Sequence, residues 1–234
     1  MNNQLQKVTE FFEAQRLLYG KQLILSRKFN DNFEYNFDEQ VTVSEANTVK
    51  ENAEIGDLEK FHQQIKNCKL CELGSLRTNF VFGTGNPQAK IMFVGEAPGR
   101  DEDLQGKPFV GRAGQLLTMM LRAIGLKRED VFIANVLKCR PPNNRDPKPE
   151  EIEKCEPYLL KQIEYISPSL IVALGRFGAS TLLRSNLALG EMRKKDHRYN
   201  DVPLIVTYHP AALLRNPQWK KPAWEDLKKI ATYL

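Results

Sequence analysis

The chain has 234 residues, enough for one sizeable domain with an appendage. Residues 1–21 are polar and charged rather than leader-like, and no apolar run approaches the roughly 20 residues that span a bilayer. We therefore expect a cytoplasmic protein with no membrane partner. The net charge of +5 is uneven: residues 1–56 hold six Lys/Arg against nine Asp/Glu, which leaves +8 on the remainder and fits a polyanionic partner for that part.

Leu5, Val8, Phe12 and Leu18, with Phe11 and Leu17 beside them, recur at helical spacing and predict a helix over 4–19 that stops at Gly20. Residues 29–56 are rich in Asn, Asp and Glu with little periodicity and read as a linker. Residues 1–56 thus form an N-terminal extension and 57–234 the main domain. A helix over 57–66 delivers the chain to Cys68. Strands are predicted over 91–94, 131–136, 170–174 and 204–207, and helices over 112–124, 150–166, 176–184 and 224–234. In the helix over 112–124, Leu116, Leu117, Met120, Leu121 and Ile124 share a face. Strands alternating with helices imply an α/β protein with a parallel sheet covered on both faces. Ligands in such folds sit at the carboxyl ends of the strands, which here means 95–103, 135–145 and 209–216. Gly83-Thr84-Gly85 lacks the strand, helix and third glycine of a dinucleotide fingerprint, so no nucleotide cofactor is expected.

The chain has four cysteines, Cys68 and Cys71 as a C-x2-C pair and Cys139 and Cys155 as a C-x15-C pair. Disulfides are disfavoured in a reducing compartment. Four thiolates suit zinc or an iron–sulfur cluster, and their spacing does not choose between the two.

Three loops carry chemistry-bearing residues. Gly95-Glu96-Ala97-Pro98-Gly99 makes a tight turn, and Glu96 and Glu102 are placed to polarise a water or bond a ligand N–H. Phe109 is a candidate stacking platform, and Gly111, Arg112 and Gly114 open a helix whose start would favour an anion such as phosphate. Asn135 ends a strand, and its amide can donate and accept together to a pyrimidine edge. Arg140, Asn144 and Arg145 follow as candidate phosphate contacts. His209 ends another strand, where an imidazole can donate to a developing oxyanion. Leu213 and Leu214, followed by Arg215, have the form of an apolar wedge of the kind inserted into base stacks.

Taken together, these segments resemble the family 4, iron–sulfur branch of the uracil-DNA glycosylases. The matches are Gly95-Glu96-Ala97-Pro98-Gly99, the run from Gly106 to Gly114, the run from Asn135 to Arg145, the run from His209 to Arg215, and the cysteine spacing. The resemblance spans residues 58–234. It implies a three-layer α/β/α sandwich around a mainly parallel four-stranded sheet, a [4Fe–4S] cluster on Cys68, Cys71, Cys139 and Cys155, and hydrolysis of the N-glycosidic bond of deoxyuridine in DNA, single- or double-stranded, without strand cleavage. It implies that Asn135 reads the uracil edge, Phe109 stacks on the ring beside Gly95 and Ala97, His209 donates to O2, and Leu213 or Leu214 fills the vacated stack. Cluster-free relatives carry an aspartate where this chain has Ala97, which leaves the attacking water either to a backbone group with Glu96 or to Glu102, the other role open to Glu102 being to wall off the uracil C5 position against thymine's methyl. A monomer is expected, and residues 1–56 are a candidate site for a protein partner. The other reading of the cysteines and basic body is a non-catalytic iron–sulfur nucleic-acid-binding or redox-sensing protein, which leaves Asn135 and His209 without a task.

Overall fold

A computed structural model describes residues 55–234. The expected helix over 4–19 and the linker before residue 55 lie outside the described residues.

The four expected strands are present as β2 (Ile91–Gly95), β3 (Phe132–Asn135), β4 (Leu170–Leu174) and β6 (Val202–Thr207), adjacent and parallel in the order β3-β2-β4-β6. The sheet has six strands rather than four. β1 (Thr84–Gly85) pairs antiparallel with β3 at one edge, and β5 (His197–Tyr199) pairs antiparallel with β6 at the other. Both added strands are too short to show an alternating pattern, and β1 is built on glycine. A side chain at Gly85 would run into the Val131 carbonyl, so the close pairing at this edge requires that glycine.

The central strands are apolar throughout because both of their faces are covered. Their residues alternate between two cores. Met92, Val94, Phe132, Ala134, Ile171, Ala173, Leu204 and Val206 meet one layer of helices: α1 (Ile55–Ile65), α5 (Pro149–Ile166), α6 (Gly175–Leu183) and α7 (Leu189–Met192). Ile91, Phe93, Ile133, Leu170, Val172 and Leu174 meet the other: α4 (Arg112–Ala123) and α9 (Lys220–Ala231). The result is a three-layer α/β/α arrangement.

Two short helices stand where loops are expected, α3 (Arg100–Gln105) and α8 (Pro210–Arg215), while the one-turn α2 (Leu73–Leu76) follows the C-x2-C pair. Helix α8 corrects the wedge assignment: Leu213 is fully buried in the second core, and only Leu214, at 39% exposure, faces outward. Burying a leucine stabilises by about 1.5–3 kcal/mol, so Leu213 holds this helix down instead of entering DNA.

Chain order places the first parallel strand, β2, beside both the second and the third. The chain therefore reverses direction across the sheet between the ends of β2 and β4. Ligands gather at such a switch point.

Candidate active site

A cleft of about 590 Å³ opens at that place. It is lined by the ends of β2, β3, β4 and β6, through Glu96, Asn135, Leu174, Gly175 and His209. The backbone past β2 is fixed to the backbone past β3: Val136 N–H donates to Gly95 O at 3.0 Å, and Leu137 N–H to Glu96 O at 2.9 Å. Glu96 and Asn135 are therefore held in a set relation.

Asn135 is 2% exposed, and its Oδ1 is buried without a hydrogen-bond partner. Buried acceptors in this state cost about 1–3 kcal/mol, so one that persists marks a place where a partner arrives. Gly95 leaves the approach open, since a Cβ there would sit 2.4 Å from Asn135 Oδ1 and 2.7 Å from the Phe109 ring.

Phe109 is both core and platform. It is 6% exposed and packs with the second core, yet it lines the cleft and meets the His209 ring at 5.4 Å between centroids. Its backbone has a left-handed φ of 52°, uncommon for an aromatic residue. Two neighbours hold it there. A side chain at Gly114 would fall 1.7 Å from the Phe109 carbonyl oxygen. Glu102 Oε1 accepts the backbone N–H groups of Val110 at 2.9 Å and Gly111 at 3.1 Å. The expected anion at the start of α4 is thus the chain's own Glu102 carboxylate. Both acids line the cleft, but Glu102 braces the Phe109 turn through Oε1, whereas the Glu96 carboxylate takes no such backbone bond. Burial first, then the nearby Asp146 charge, push Glu96 up to about 7, partly opposed by Arg176.

His209 caps the helix Pro210–Arg215, with its Nδ1 accepting from Ala211 N–H at 3.1 Å. An accepting Nδ1 in a neutral ring leaves the proton on Nε2. Burial, then the Arg215 charge, hold the imidazole down at about 4. The side chain is therefore a neutral N–H donor. Gly175, with a φ of +86°, makes room, because a Cβ there would lie 2.7 Å from that of His209.

The remaining expected contacts divide. Asn144, Arg145, Ala97 and Arg215 line the cleft. Gly111 is half-buried at the start of α4, Arg112 is exposed beside it, and Arg140 is half-exposed with its Nε bonded to Asn144 Oδ1 at 2.7 Å. Arg145 is not a free phosphate contact. Its guanidinium forms a two-pronged pair with buried Glu151, at 2.6 and 2.9 Å, and the pair holds the Glu151 carboxyl below its usual range. Sequence reasoning missed Gly175, Arg176, Phe177 and Trp219, which also line the cleft. The strand-end rule that selected three loops applied equally to the end of β4 and would have found the first three.

The cysteines converge beside this cleft. Cys139 and Cys155 are buried with Leu73 and Leu137, and Cys71, Tyr158 and Ala97 pack against them, so Ala97 touches both the cleft and the thiol group. All four thiols are free. Their sulfurs accept from Leu70 N–H at 3.5 Å and Tyr158 O–H at 3.2 Å (Cys68), Arg77 Nη1 at 3.2 Å (Cys139) and Lys138 N–H at 3.3 Å (Cys155). Burial pushes the Cys155 thiol up to about 12 and raises Cys139 as well. Ionising them therefore calls for a strong local positive charge, which a coordinated metal supplies. Among the described residues, no three His, Cys, Asp or Glu side chains stand close enough to share one metal ion. Fully buried Lys138, missed from sequence, extends from this group to the base of the cleft, where its Nζ donates to Asn135 O and to Gln162 Oε1, each at 2.6 Å.

The chain belongs to the uracil DNA glycosylase superfamily, whose family model it matches over residues 82–228. Within it, the similarity is strongest toward type-4 enzymes. The type-4 uracil-DNA glycosylase of Archaeoglobus fulgidus is 51% identical over 74% of this chain and 91% of its own length. That of Thermotoga maritima is 44% identical over 76% and 94%. The type-5 uracil-DNA glycosylase of Pyrobaculum aerophilum is 30% identical over 55% and 64%. Among the described residues, no helix is long and apolar enough to cross a membrane.

Proposed function

We propose that the chain is a uracil-DNA glycosylase that hydrolyses the bond between uracil N1 and the deoxyribose C1′, leaving an abasic site and an uncut strand. The observation that carries this reading is the orphaned Asn135 Oδ1 behind Gly95. Uracil presents N3–H beside the O4 acceptor, and an amide answers both at once. The base must leave the helix to reach the cleft, with Phe109 beneath its ring and Leu214 filling the gap in the stack. Arg112, Arg140, Asn144 and Arg215 are the candidates for meeting the backbone.

As the N1–C1′ bond breaks, its electron pair leaves with uracil, and the negative charge spreads to O2. The His209 Nε2–H is the donor for that oxygen. Positive charge develops at C1′, a water adds there, and its proton passes to Glu96. Since Glu96 sits near 7, its receptive form fills as the pH rises through that value.

The four cysteines, we propose, hold a [4Fe–4S] cluster. Four free thiols with four N–H or O–H donors fit the ligand set of such a cluster. A single tetrahedral zinc would need thiolates about 3.8 Å apart, given Zn–S bonds of about 2.3 Å. When bound, the cluster joins the Cys68–Cys71 segment, the loop after Asn135 and helix α5, and supplies the charge that ionises the thiols. No reaction step passes through it. Purified protein is expected to contain iron and acid-labile sulfide with broad visible absorption. Colourless, zinc-containing protein would contradict the assignment.

Residues 57–234 are the proposed catalytic unit, acting as a monomer. The test is release of uracil from a uracil-containing oligonucleotide between pH 5 and 9. The rate is expected to rise to a plateau through about pH 7, and Glu96→Gln is expected to lower the plateau and remove the pH-dependent limb. No release from single- or double-stranded substrate by iron-loaded protein would sink the reading.

A further inference from the structure

Past the His209 helix the chain makes a one-turn helix, Pro217–Trp219, that sets an indole on the wall of the cleft. Trp219 is 36% exposed. Its ring stacks on Tyr208 at 5.3 Å between centroids and 26° between planes. The Arg193 guanidinium lies over the Tyr208 ring at 4.4 Å and also donates to its hydroxyl at 3.3 Å. Arg193 is itself immobilised: two nitrogens bond Asp226 at 2.7 and 2.8 Å, and one of them also reaches Pro222 O at 2.7 Å. Asp226 is 3% exposed and takes a further bond from Thr207 Oγ1 at 2.7 Å. The pile therefore runs from the core to solvent and ends in a flat aromatic surface. The backbone beneath the indole is also fixed, with Trp219 N–H donating to Asn216 O at 3.0 Å and Asn216 N–H to Ala212 O at 2.9 Å.

Nothing in the base-release chemistry uses this ring. Its position, lining the same cleft as Arg215 and a few residues past exposed Leu214, sets it beside the path of a DNA strand that has its uracil in the cleft. We propose that Trp219 is a stacking platform for an unpaired nucleobase neighbouring the extruded uracil, and so favours single-stranded DNA over duplex. In a duplex that neighbour is already stacked on both sides, whereas in a single strand its face is free. Base–aromatic stacking accepts any base, because every base presents a π-face, and a ring already held in place loses little freedom on binding. The proposal rests on the glycosylase reading of the cleft.

The chain has two tryptophans, so Trp224→Phe leaves Trp219 as its only indole. In that background, a single-stranded thymidine oligonucleotide without uracil should quench the fluorescence on binding. The same backbone carrying abasic spacers should bind by charge with little quenching. Trp219→Ala should weaken binding of the thymidine strand by about 5- to 150-fold and leave the abasic strand's Kd unmoved, while Trp219→Phe should recover most of the loss. Unquenched fluorescence at saturation, or equal Kd values for Trp219→Ala and the parent, would overturn the proposal. If the alanine variant fails to fold, the quenching comparison decides alone. Uracil release by the unsubstituted chain, run on the same oligonucleotide with one uracil, separates the two readings. Release with an unmoved Kd removes only the platform, and no release removes the glycosylase.

Discussion

Replacing His209 with alanine is expected to slow uracil release about 10²- to 10³-fold, the range found when one donor to a developing oxyanion is removed. The expectation follows from the state of the ring. Nδ1 is committed to Ala211 N–H, burial and Arg215 disfavour the cation, and the remaining Nε2–H belongs to a side chain that lines the cleft. A neutral donor serves here because the charge it stabilises appears only as the bond breaks, so the interaction is worth more in the transition state than before it. Two further readouts distinguish this role from a structural one. With an imidazole value near 4, the parent enzyme should show no limb from this residue between pH 5 and 9, and the limb near 7 should persist in the variant because it belongs to Glu96. The capping bond contributes about 0.5–2 kcal/mol, so the variant should also unfold somewhat more easily. The histidine itself lowers stability in acid. Its folded value lies below the ordinary 6.5, so as the pH falls from 6.5 towards 4 the unfolded chain takes up a proton that the folded chain refuses. The alanine variant should lose that part of the acid sensitivity. Single-turnover rates and urea unfolding across pH measure both effects, and a histidine with only a structural role would show the stability change without the rate loss.

The legibility of this molecule from sequence depended on how each residue's partners are chosen. Residues 91–94 and 170–174 were readable as strands because they are buried on both faces and apolar at every position. The edge strands were not, because Thr84–Gly85 and His197–Tyr199 are specified by pairing with β3 and β6 rather than by pattern. The acidic turn after β2 hid a helix, Arg100–Gln105, whose one long apolar residue, Leu104, is 56% exposed. That helix is instead tied by its acids. Asp103 Oδ1 receives the N–H groups of Thr78 and Asn79 at 2.9 and 3.3 Å, and Glu102 receives those of Val110 and Gly111. In a sequence, a carboxylate that caps a loop is indistinguishable from one that activates water. Three dimensions are needed to leave Glu96 as the acid without a structural task. The leucine pair shows the same limit, since adjacent identical residues on a short helix differ only in the side they face.

The glycines make the site's economy visible. Gly95, Gly114 and Gly175 each stand where a methyl group would strike a functional residue: Asn135 and Phe109, the Phe109 carbonyl, and His209 in turn. Together with Glu102 and Lys138, they place Asn135, Phe109 and His209 around one cavity without giving up side-chain volume to it. The thiol group adds to this from behind, through Ala97 and through Lys138, whose backbone N–H bonds Cys155 while its ammonium bonds Asn135 O. If the cysteines hold the proposed cluster, its loss should therefore be felt first in the positioning of Asn135.

Asn135→Ala is expected to reduce uracil release by a similar 10²- to 10³-fold, and it differs from the histidine variant in the sign of its effect on the empty protein. The parent holds Oδ1 buried and unpaired, at a cost of about 1–3 kcal/mol that binding would remove. Truncation removes that cost together with the reading group, so the unliganded variant should be as stable as the parent or more so, offset only by the small space left behind. The stabilisation conferred by free uracil should fall, because it comes from satisfying that oxygen. Asn135→Asp sharpens the assignment. A carboxylate still accepts N3–H but cannot donate to O4, and its charge opposes the anion forming on the departing base, so its release rate should fall at least as far as that of alanine. The same carboxylate accepts from an exocyclic amine, so the aspartate variant should discriminate less between uracil and cytosine. Thermal unfolding with and without uracil, beside single-turnover release from uracil- and cytosine-containing strands, measures all of these together. An alanine variant that released uracil at the parent rate would show that the orphaned oxygen is not the reader of the base.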